Sequence, residues 1–302
     1  MTEADNACGK TVVDGIEEET EWIEHEGRHL YTHLYRSAEQ PPRATLTLVH
    51  GMGEHIERYS GIARTFARAG IQCMGFDQRG FGKTGRRKNN GRLGDNEGLE
   101  AVCRDISFIN NRVMEADKPH FLFGHSMGGL NVLNYTLHHN QDKHVRGVIA
   151  SAPALLPGPS LLPPRFVVSL LHQVARLIPS VQKSTGIGPE MLTSNLSERE
   201  RIQADVLIIG HCALRTLSSV LSQGPQVIAA GAEFQTPVFL THARGDKATY
   251  YQGTASFFAN LPESLDKQYK EVECDFHEMH FEEDIGPSLI EEYKQWIIDH
   301  IQ

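Results

Sequence analysis

A sharp turn around one serine constrains this chain more than any other segment. Residues 121–129 read Phe-Leu-Phe-Gly-His-Ser-Met-Gly-Gly, so a short apolar run meets Gly-x-Ser-x-Gly and a helix-compatible segment follows. In this context the pattern predicts a strand-to-helix turn that lifts a serine hydroxyl clear of the backbone, with Ser126 as the nucleophile. Gly124 and Gly128 fit the turn because a side chain at either position would clash where the strand and the helix approach each other.

Apolar segments and helical patterns alternate along the first half of the chain. Strands are predicted at 20–23, 30–35, 45–49, 71–76, 121–123 and 145–150. Helices are predicted at 59–69, 99–113 and 127–138. This alternation favours an α/β fold with a mostly parallel central sheet and helices on both faces.

The alternation stops near residue 153, where a proline-rich stretch begins and continues to residue 164. Helical patterns follow, including a capping box at 197–200. Strands and helices alternate again from a strand at 238–242 onward, which indicates that a helical cap is inserted into the sheet domain. The predicted division of the chain is a flexible segment at 1–18, a core at 19–152 and 234–302, and a cap at 153–233.

The composition is ordinary for a globular protein, with 40% hydrophobic and 22% charged residues among 302. The formal net charge of −9 disfavours a nucleic-acid partner, because such proteins usually present a basic face. The five cysteines include no Cys-x-x-Cys pair, so we expect reduced thiols and no metal site. His277 and His280 lie three residues apart without further ligand spacing, which is a weak metal signal.

The acidic N-terminus lacks an apolar segment of signal-peptide length, and no run of 18 or more uncharged apolar residues occurs. We therefore expect a cytoplasmic protein. Peripheral contact with membranes or lipid droplets through the cap is an additional hypothesis.

The second half of the chain supplies candidates for the two groups that a serine nucleophile needs. An imidazole must take the hydroxyl proton, and a carboxylate must orient that imidazole. In this type of fold the order is serine, acid, histidine, with each residue after a strand. Asp246 follows the strand at 238–242, and His277 follows the strand at 268–272. We predict Asp246 as the orienting acid and His277 as the general base, with His280 as the alternative base.

Acyl transfer also needs backbone N–H donors for the oxyanion that forms on attack. One donor is expected at Met127, the residue after the nucleophile. The other is expected in the glycine-containing loop at 50–55, where we predict the amide of Met52.

Three sequence blocks together resemble the monoacylglycerol lipase family, especially its fungal branch. They are His-Gly-Met-Gly-Glu-His at 50–55, Phe-Asp-Gln-Arg-Gly-Phe-Gly at 76–82 and Gly-His-Ser-Met-Gly-Gly at 124–129. The resemblance implies an α/β-hydrolase fold with a helical cap, and cleavage of monoacylglycerol to glycerol and fatty acid without a cofactor. The family's first oxyanion amide matches Met52. At the acid position the family usually has Gly-x-x-Asp, whereas residues 243–246 read Ala-Arg-Gly-Asp here.

An apolar stripe at helical spacing marks the first cap helix, and it has two interpretations. Such a stripe can simply pack on the core domain. It can also form the wall of an acyl channel, or a patch that rests on a lipid surface. On the second interpretation, the predicted substrate-binding residues are Phe166, Leu170, Leu171 and Val174.

Other functions remain open at this level. The same catalytic groups would serve a lysophospholipase or a general carboxylesterase, because the cap decides the substrate. A non-catalytic lipid-binding relative would typically lose a member of the triad. A peptidase is less favoured, since no acidic cap group dedicated to a substrate amine can be identified.

In the loop at 76–82, Asp77 and Arg79 are expected to hold the loop together rather than to act on substrate.

Overall fold

The computed structural model describes residues 8–140, 143–161 and 164–301. The strands are β1 (Gly9–Val13), β2 (Ile16–His25), β3 (Arg28–Ser37), β4 (Ala44–Val49), β5 (Ile71–Phe76), β6 (His120–His125), β7 (Val145–Ser151), β8 (Gln182–Ser184), β9 (His211–Ala213), β10 (Val238–Ala243) and β11 (Lys267–Val272). The helices are α1 (Ser60–Arg68), α2 (Gly82–Arg86), α3 (Leu99–Val113), α4 (Met127–His139), α5 (Arg165–Leu177), α6 (Pro189–Leu192), α7 (Leu196–Ala204), α8 (Leu214–Ala229), α9 (Tyr251–Asn260) and α10 (Gly286–Asp299).

Nine of the strands form one sheet in the order β1-β2-β3-β5-β4-β6-β7-β10-β11. The pairs from β5 through β11 are parallel, and the pairs among β1, β2, β3 and β5 are antiparallel. Every residue of β4, β5, β6 and β10 is buried, as expected for parallel strands covered on both faces. This topology confirms the predicted fold class.

The parallel strands bring the ends of distant segments to one edge of the sheet. The loop after β4 contains Met52, β6 ends next to Ser126, and the segments after β10 and β11 contain Asp246 and His277. Because β6 lies between β4 and β7, the serine sits near the middle of this edge. Ligands of open α/β sheets bind at the carboxyl ends of the strands, so this edge is the expected place for a site.

The N-terminal segment differs from the expectation of a flexible stretch at 1–18. Residues 9–13 form β1, and β2 begins at residue 16, so both pair with the sheet. All five residues of β1 are exposed, so this strand lacks the alternation of buried apolar and exposed polar residues by which a sequence pattern identifies a strand. Residues 1–7 lie outside the described residues.

The insertion between β7 and β10 contains the helices α5 to α8, in line with the helical character expected of the cap. It also contains β8 and β9, which pair antiparallel as a small separate sheet that the sequence patterns did not indicate. Pro163 of the proline-rich stretch lies outside the described residues. Residues 153–233 remain the proposed range of the cap.

Within the described ranges, the helices are all too short or too polar to span a bilayer.

Arg79 is buried and joins the loop after β5 to two other parts of the core. Its guanidinium donates to both oxygens of Asp105 at 2.8 Å, to Glu97 at 2.8 Å and to Glu26 at 3.0 Å. Asp77 of the same loop accepts backbone N–H bonds from Ile56 at 2.8 Å and from Lys83 at 2.6 Å. These contacts match the structural role that the sequence suggested for both residues.

We expect Arg79→Met to lower the free energy of unfolding by about 3–5 kcal/mol, because it leaves the buried carboxylate of Asp105 without its cation. Chemical denaturation followed by circular dichroism measures the effect. Arg104→Met is the matched control, since Arg104 is half exposed and also pairs with Glu26. It should cost less than about 1 kcal/mol, and equal losses in the two variants would contradict the argument.

Candidate active site

Ser126 occupies a strained turn between β6 and α4. Its backbone has φ 56° and ψ −121°, a region that non-glycine residues rarely adopt. A Cβ at Gly128 would overlap the carbonyl oxygens of Val49 and His50, and one at Gly124 would overlap the carbonyl of Gly128. Strand β4, strand β6 and helix α4 therefore approach each other more closely than side chains would allow, as the Gly-x-Ser-x-Gly pattern predicted.

Asp246 and His277 are in direct contact beside this turn. The Nδ1–H of His277 donates to Oδ2 of Asp246 at 2.6 Å. The backbone N–H groups of Ala248 and Thr249 donate to the other carboxylate oxygen at 2.8 and 3.0 Å. Both side chains are buried, so the carboxylate is held in one orientation and fixes the orientation of the imidazole.

The pair also sets the protonation of both groups. Burial acts to raise the pKa of Asp246, but the charge of His277 and hydrogen bonds from His242 and His277 outweigh it and hold that pKa well below its ordinary value. Burial acts to lower the pKa of His277, but the charge and the hydrogen bond of Asp246 outweigh it and raise the pKa. His277 is therefore a stronger base than its burial alone would allow.

The alternative base, His280, is not the residue that contacts Asp246. It lies in a short helical turn at Met279–Phe281, with its ring centroid 4.8 Å from that of His125. Burial and the neighbouring His125 lower the pKa of His280 well below that of a free imidazole. Neither of its ring nitrogens has a hydrogen-bond partner among the described residues.

A cavity of about 240 Å³ opens beside Ser126 and His277. Met52 lines it, and the first residue of α4, Met127, directly follows the serine. In the described part of the chain, neither backbone N–H of these two methionines is paired with another residue. Their positions suit the predicted oxyanion donors.

The apolar part of the cavity lining comes from the cap. Its residues are Ile187, Pro189, Leu192, Ile202, Ile208 and Ile209. The polar part of the lining includes Glu54, Arg58 and Glu278. An amphipathic substrate could therefore find both apolar and polar partners in the cavity while its reactive bond lies next to Ser126.

Arg58 is buried among carboxylates from three parts of the chain. It donates to Glu54 at 2.6 Å, to both oxygens of Glu278 at 2.7 Å and to Glu198 of the cap helix α7 at 3.1 Å. Burial acts to raise the pKa of Glu54, but the charges of Arg58 and His50 and the hydrogen bonds from Tyr59 and Gly51 together lower it. Motif analysis did not identify this polar surface, although Glu54 lies inside the motif at 50–55.

A short segment of the cap, residues 189–195, is attached to the loop that contains His277. We call it the cap strap. The backbone N–H groups of His277 and Glu278 donate to the carbonyls of Met191 and Leu192 at 3.2 and 2.8 Å. Glu282 accepts hydrogen bonds from the Thr193 hydroxyl at 2.6 Å and from the Ser194 N–H at 2.8 Å. The loop that carries His277 is thus held by the cap as well as by the core.

The structure does not bring the four predicted substrate-binding residues to this cavity. Phe166, Leu170, Leu171 and Val174 lie on α5, and none of them is among the lining residues. Phe166 is 73% exposed and Leu170 is 61% exposed, so packing on the core does not explain these two either. Helical spacing identified an apolar face correctly, but spacing alone does not say which surface that face meets.

Among the described residues, no group of three or more His, Cys, Asp or Glu side chains could hold a metal ion.

Comparisons with known proteins agree with this architecture. A family model described as serine aminopeptidase, S33 matches residues 40–284. An uncharacterized abhydrolase domain-containing protein from Dictyostelium discoideum is 31% identical over 86% of this chain, which spans only 27% of that relative. Monoglyceride lipase from Saccharomyces cerevisiae is 25% identical, with 85% of each chain covered.

A solved structure is also similar. The crystal structure of Paleococcus ferrophilus monoacylglycerol lipase superposes with a TM-score of 0.80 at 28% identity, and the match covers 90% of this chain and 99% of that one. The comparisons confirm both the α/β-hydrolase fold and the family resemblance that the three sequence blocks indicated.

The pH dependence of ester hydrolysis tests the proposed pair of Asp246 and His277. Activity requires neutral His277, so kcat/KM should fall as the pH drops through the raised pKa of this residue, above the value of about 6.5 for free imidazole. Asp246→Asn removes the charge that raises the pKa and leaves the burial that lowers it. The acid limb, which is the fall of kcat/KM on the acid side of the pH profile, should move to lower pH, and kcat should fall about ten-thousandfold.

The matched control for this experiment is Asp275→Asn, which removes an exposed carboxylate two residues before His277. Its kcat and acid limb should remain those of the wild type. An Asp246→Asn variant with an unmoved acid limb would contradict the assignment of His277 as the base that Asp246 tunes.

Proposed function

Because the chain belongs to the serine aminopeptidase S33 family, and is a carboxylic ester hydrolase, we propose that it cleaves monoacylglycerol to glycerol and free fatty acid. The observation that carries the proposal is the cavity beside Ser126, whose lining combines apolar residues of the cap with the polar residues Glu54, Arg58 and Glu278. A monoacylglycerol has a matching division into an acyl chain and a small polyol, joined by the ester.

The reaction follows from the roles of the site residues. His277 takes the proton of Ser126 as the serine oxygen attacks the ester carbonyl, and the Met52 and Met127 amides stabilise the oxyanion. The tetrahedral intermediate collapses when His277 gives the proton to the leaving glycerol oxygen, which leaves an acyl-enzyme. Water activated by His277 then releases the fatty acid and restores the serine hydroxyl.

The polar part of the cavity lining favours a neutral head group. The terminal nitrogens of Arg58 are already bound by Glu54, Glu198 and Glu278, so no cation remains there for a phosphate. The surrounding carboxylates would also repel it. Glycerol hydroxyls can both donate and accept hydrogen bonds at these groups. Lysophospholipids are therefore expected to be poorer ester substrates than monoacylglycerols.

The same network argues against cleavage of aminoacyl substrates, although the family description names an aminopeptidase. A substrate ammonium group needs a carboxylate that is free to pair with it. In the polar part of the lining the carboxylates of Glu54 and Glu278 are paired with Arg58.

The exposed face of α5 provides a route to a lipid surface. Phe166, Leu170 and Leu177 are each more than half exposed on this helix. Exposed apolar side chains on one helix face can insert into the boundary between lipid head groups and acyl chains. A substrate dissolved in a lipid phase would then be close to the cap, and its chain could pass from the lipid to the cavity.

A panel of substrates with one acyl chain tests the proposed reaction. We expect kcat/KM for monoacylglycerol to exceed that for lysophosphatidylcholine by at least about tenfold, and leucine p-nitroanilide to remain uncleaved. Ser126→Ala should reduce fatty-acid release to the background rate. Faster cleavage of the lysophospholipid would favour a lysophospholipase, and failure of the folded wild type to react with a fluorophosphonate would favour a non-catalytic relative.

Flotation with phosphatidylcholine vesicles tests the role of α5. Leu170→Asp should lower the bound fraction about tenfold relative to wild type, because the variant loses the burial of a leucine side chain in lipid. Val12→Asp is the matched control, since Val12 is a similarly exposed apolar residue on the edge strand β1. Equal binding by the wild type and Leu170→Asp would remove α5 as the lipid contact.

A further inference from the structure

A second histidine lies against the carboxylate of the proposed catalytic acid. His242 is on β10, four residues before Asp246, and its side chain is completely buried. Its Nε2 is 3.3 Å from Oδ2 of Asp246, the same oxygen that accepts the bond from His277. The proposed reaction gives His242 no role, and no sequence motif identified it.

The other ring nitrogen of His242 is also paired. Its Nδ1 lies 2.7 Å from the hydroxyl of Thr254 on α9. Because a lone pair on Nε2 would face a carboxylate oxygen unfavourably, Nε2 carries the proton and Nδ1 accepts the hydrogen bond from Thr254. In this tautomer His242 presents an N–H to Asp246, and the Thr254 hydroxyl supports it by donating to Nδ1.

Thr249 connects these groups. Its hydroxyl oxygen is 2.9 Å from Oδ2 of Asp246, 3.1 Å from Nε2 of His242 and 3.3 Å from Nδ1 of His277. It also lies 3.2 Å from the carbonyl of Ala152, which directly follows β7. One hydroxyl thus links the acid, both imidazoles and the strand next to β10.

Full pairing distinguishes His242 from His125 and His280, two other buried histidines near Ser126. His125 has one ring nitrogen without a partner, and His280 has two. Burial of an imidazole costs free energy unless both ring nitrogens are hydrogen-bonded. Because both nitrogens of His242 are bonded next to Asp246, this histidine has a specific position and does not simply fill space in the core.

We propose that His242 is a positioning residue for the reaction: with Thr249, it holds Oδ2 of Asp246 in the direction of His277. The inference rests on the proposed triad. The two backbone N–H groups constrain Oδ1, whereas Oδ2 is the oxygen that contacts His277. His242 and Thr249 supply the constraint on that second oxygen. Since the geometry of a catalytic group controls the rate, loss of this constraint should reduce kcat more than it changes KM.

The position of Oδ2 also sets the pKa of His277, which gives a readout beyond stability. Asp246 and His125 contact His277, and Glu278, Glu54 and His280 act on it electrostatically, with Arg58 paired to both glutamates. If His242 no longer holds Oδ2, the carboxylate acts less strongly on His277 and raises its pKa less. The acid limb of kcat/KM should then move to lower pH, whereas damage to packing alone would leave its position unchanged.

The experiment measures hydrolysis of a short, water-soluble aryl ester, which needs the triad but not recognition of a lipid. We expect His242→Leu to lower kcat about ten- to a hundredfold at nearly constant KM and to shift the acid limb to lower pH. His242→Gln retains an N–H donor and an acceptor, so it should recover most of the loss. An inactive wild type, or an active Ser126→Ala, would instead count against the proposed function.

His120→Leu is the matched control for loss of a buried, bonded histidine. His120 lies on β6 and contacts the hydroxyls of Thr45 and Thr47 at 2.9 and 3.4 Å, far along the strand from Ser126. Its kcat and acid limb should stay those of the wild type. A folded His242→Leu enzyme with unchanged kcat and acid limb would overturn the proposal, as would an equal loss of kcat in His120→Leu.

A second variant keeps the proposal testable if His242→Leu does not fold. Thr254→Val preserves the side-chain shape and removes the hydroxyl that supports the tautomer of His242. We expect kcat to fall about three- to tenfold, again with KM nearly constant. An unchanged kcat in folded Thr254→Val would overturn the proposal.

Discussion

The close approach of α4 to β4 is the constraint on which the rest of the site depends. Gly128 leaves its Cα next to the carbonyls of Val49 and His50, at the point where β4 passes into the loop that contains Met52. The same contact fixes the serine, the helix N-terminus behind it and the loop across the cavity. The strained backbone of Ser126 is tolerated because the packed elements around it permit no other path.

Sequence patterns located the parts of the site that are local in the chain. The Gly-x-Ser-x-Gly turn, the loop at 50–55 and the segments after two strands each have a short signature, and the order of Ser126, Asp246 and His277 follows from the parallel sheet. Patterns could not show contacts such as the one between Arg58 and Glu198, which are 140 residues apart. Whether a buried charge is tolerable depends on a partner that only the folded chain supplies.

The cap shows a second limit of sequence interpretation. An amphipathic stripe predicts a helix and one apolar face, and α5 has both, but its exposed residues do not reach the cavity. Of the apolar cap residues that do reach it, Ile187, Ile208 and Ile209 lie in loops and have no periodic pattern. Likewise β1 is held by backbone hydrogen bonds to β2, and the amino-acid composition of a segment does not predict such pairing. The differences between prediction and structure therefore fall where long-range packing, rather than local propensity, selects the conformation.

The cap strap has a consequence for the evolution of substrate choice in such a chain. Since the carbonyls of Met191 and Leu192 hold the loop of His277, the insertion also contributes to the scaffold of the proposed base. On the proposed function, exchange of the whole insertion between relatives would disturb chemistry together with specificity. Changes on the exposed face of α5 would leave those two carbonyls in place, whereas changes in the short stretch that supplies them would not.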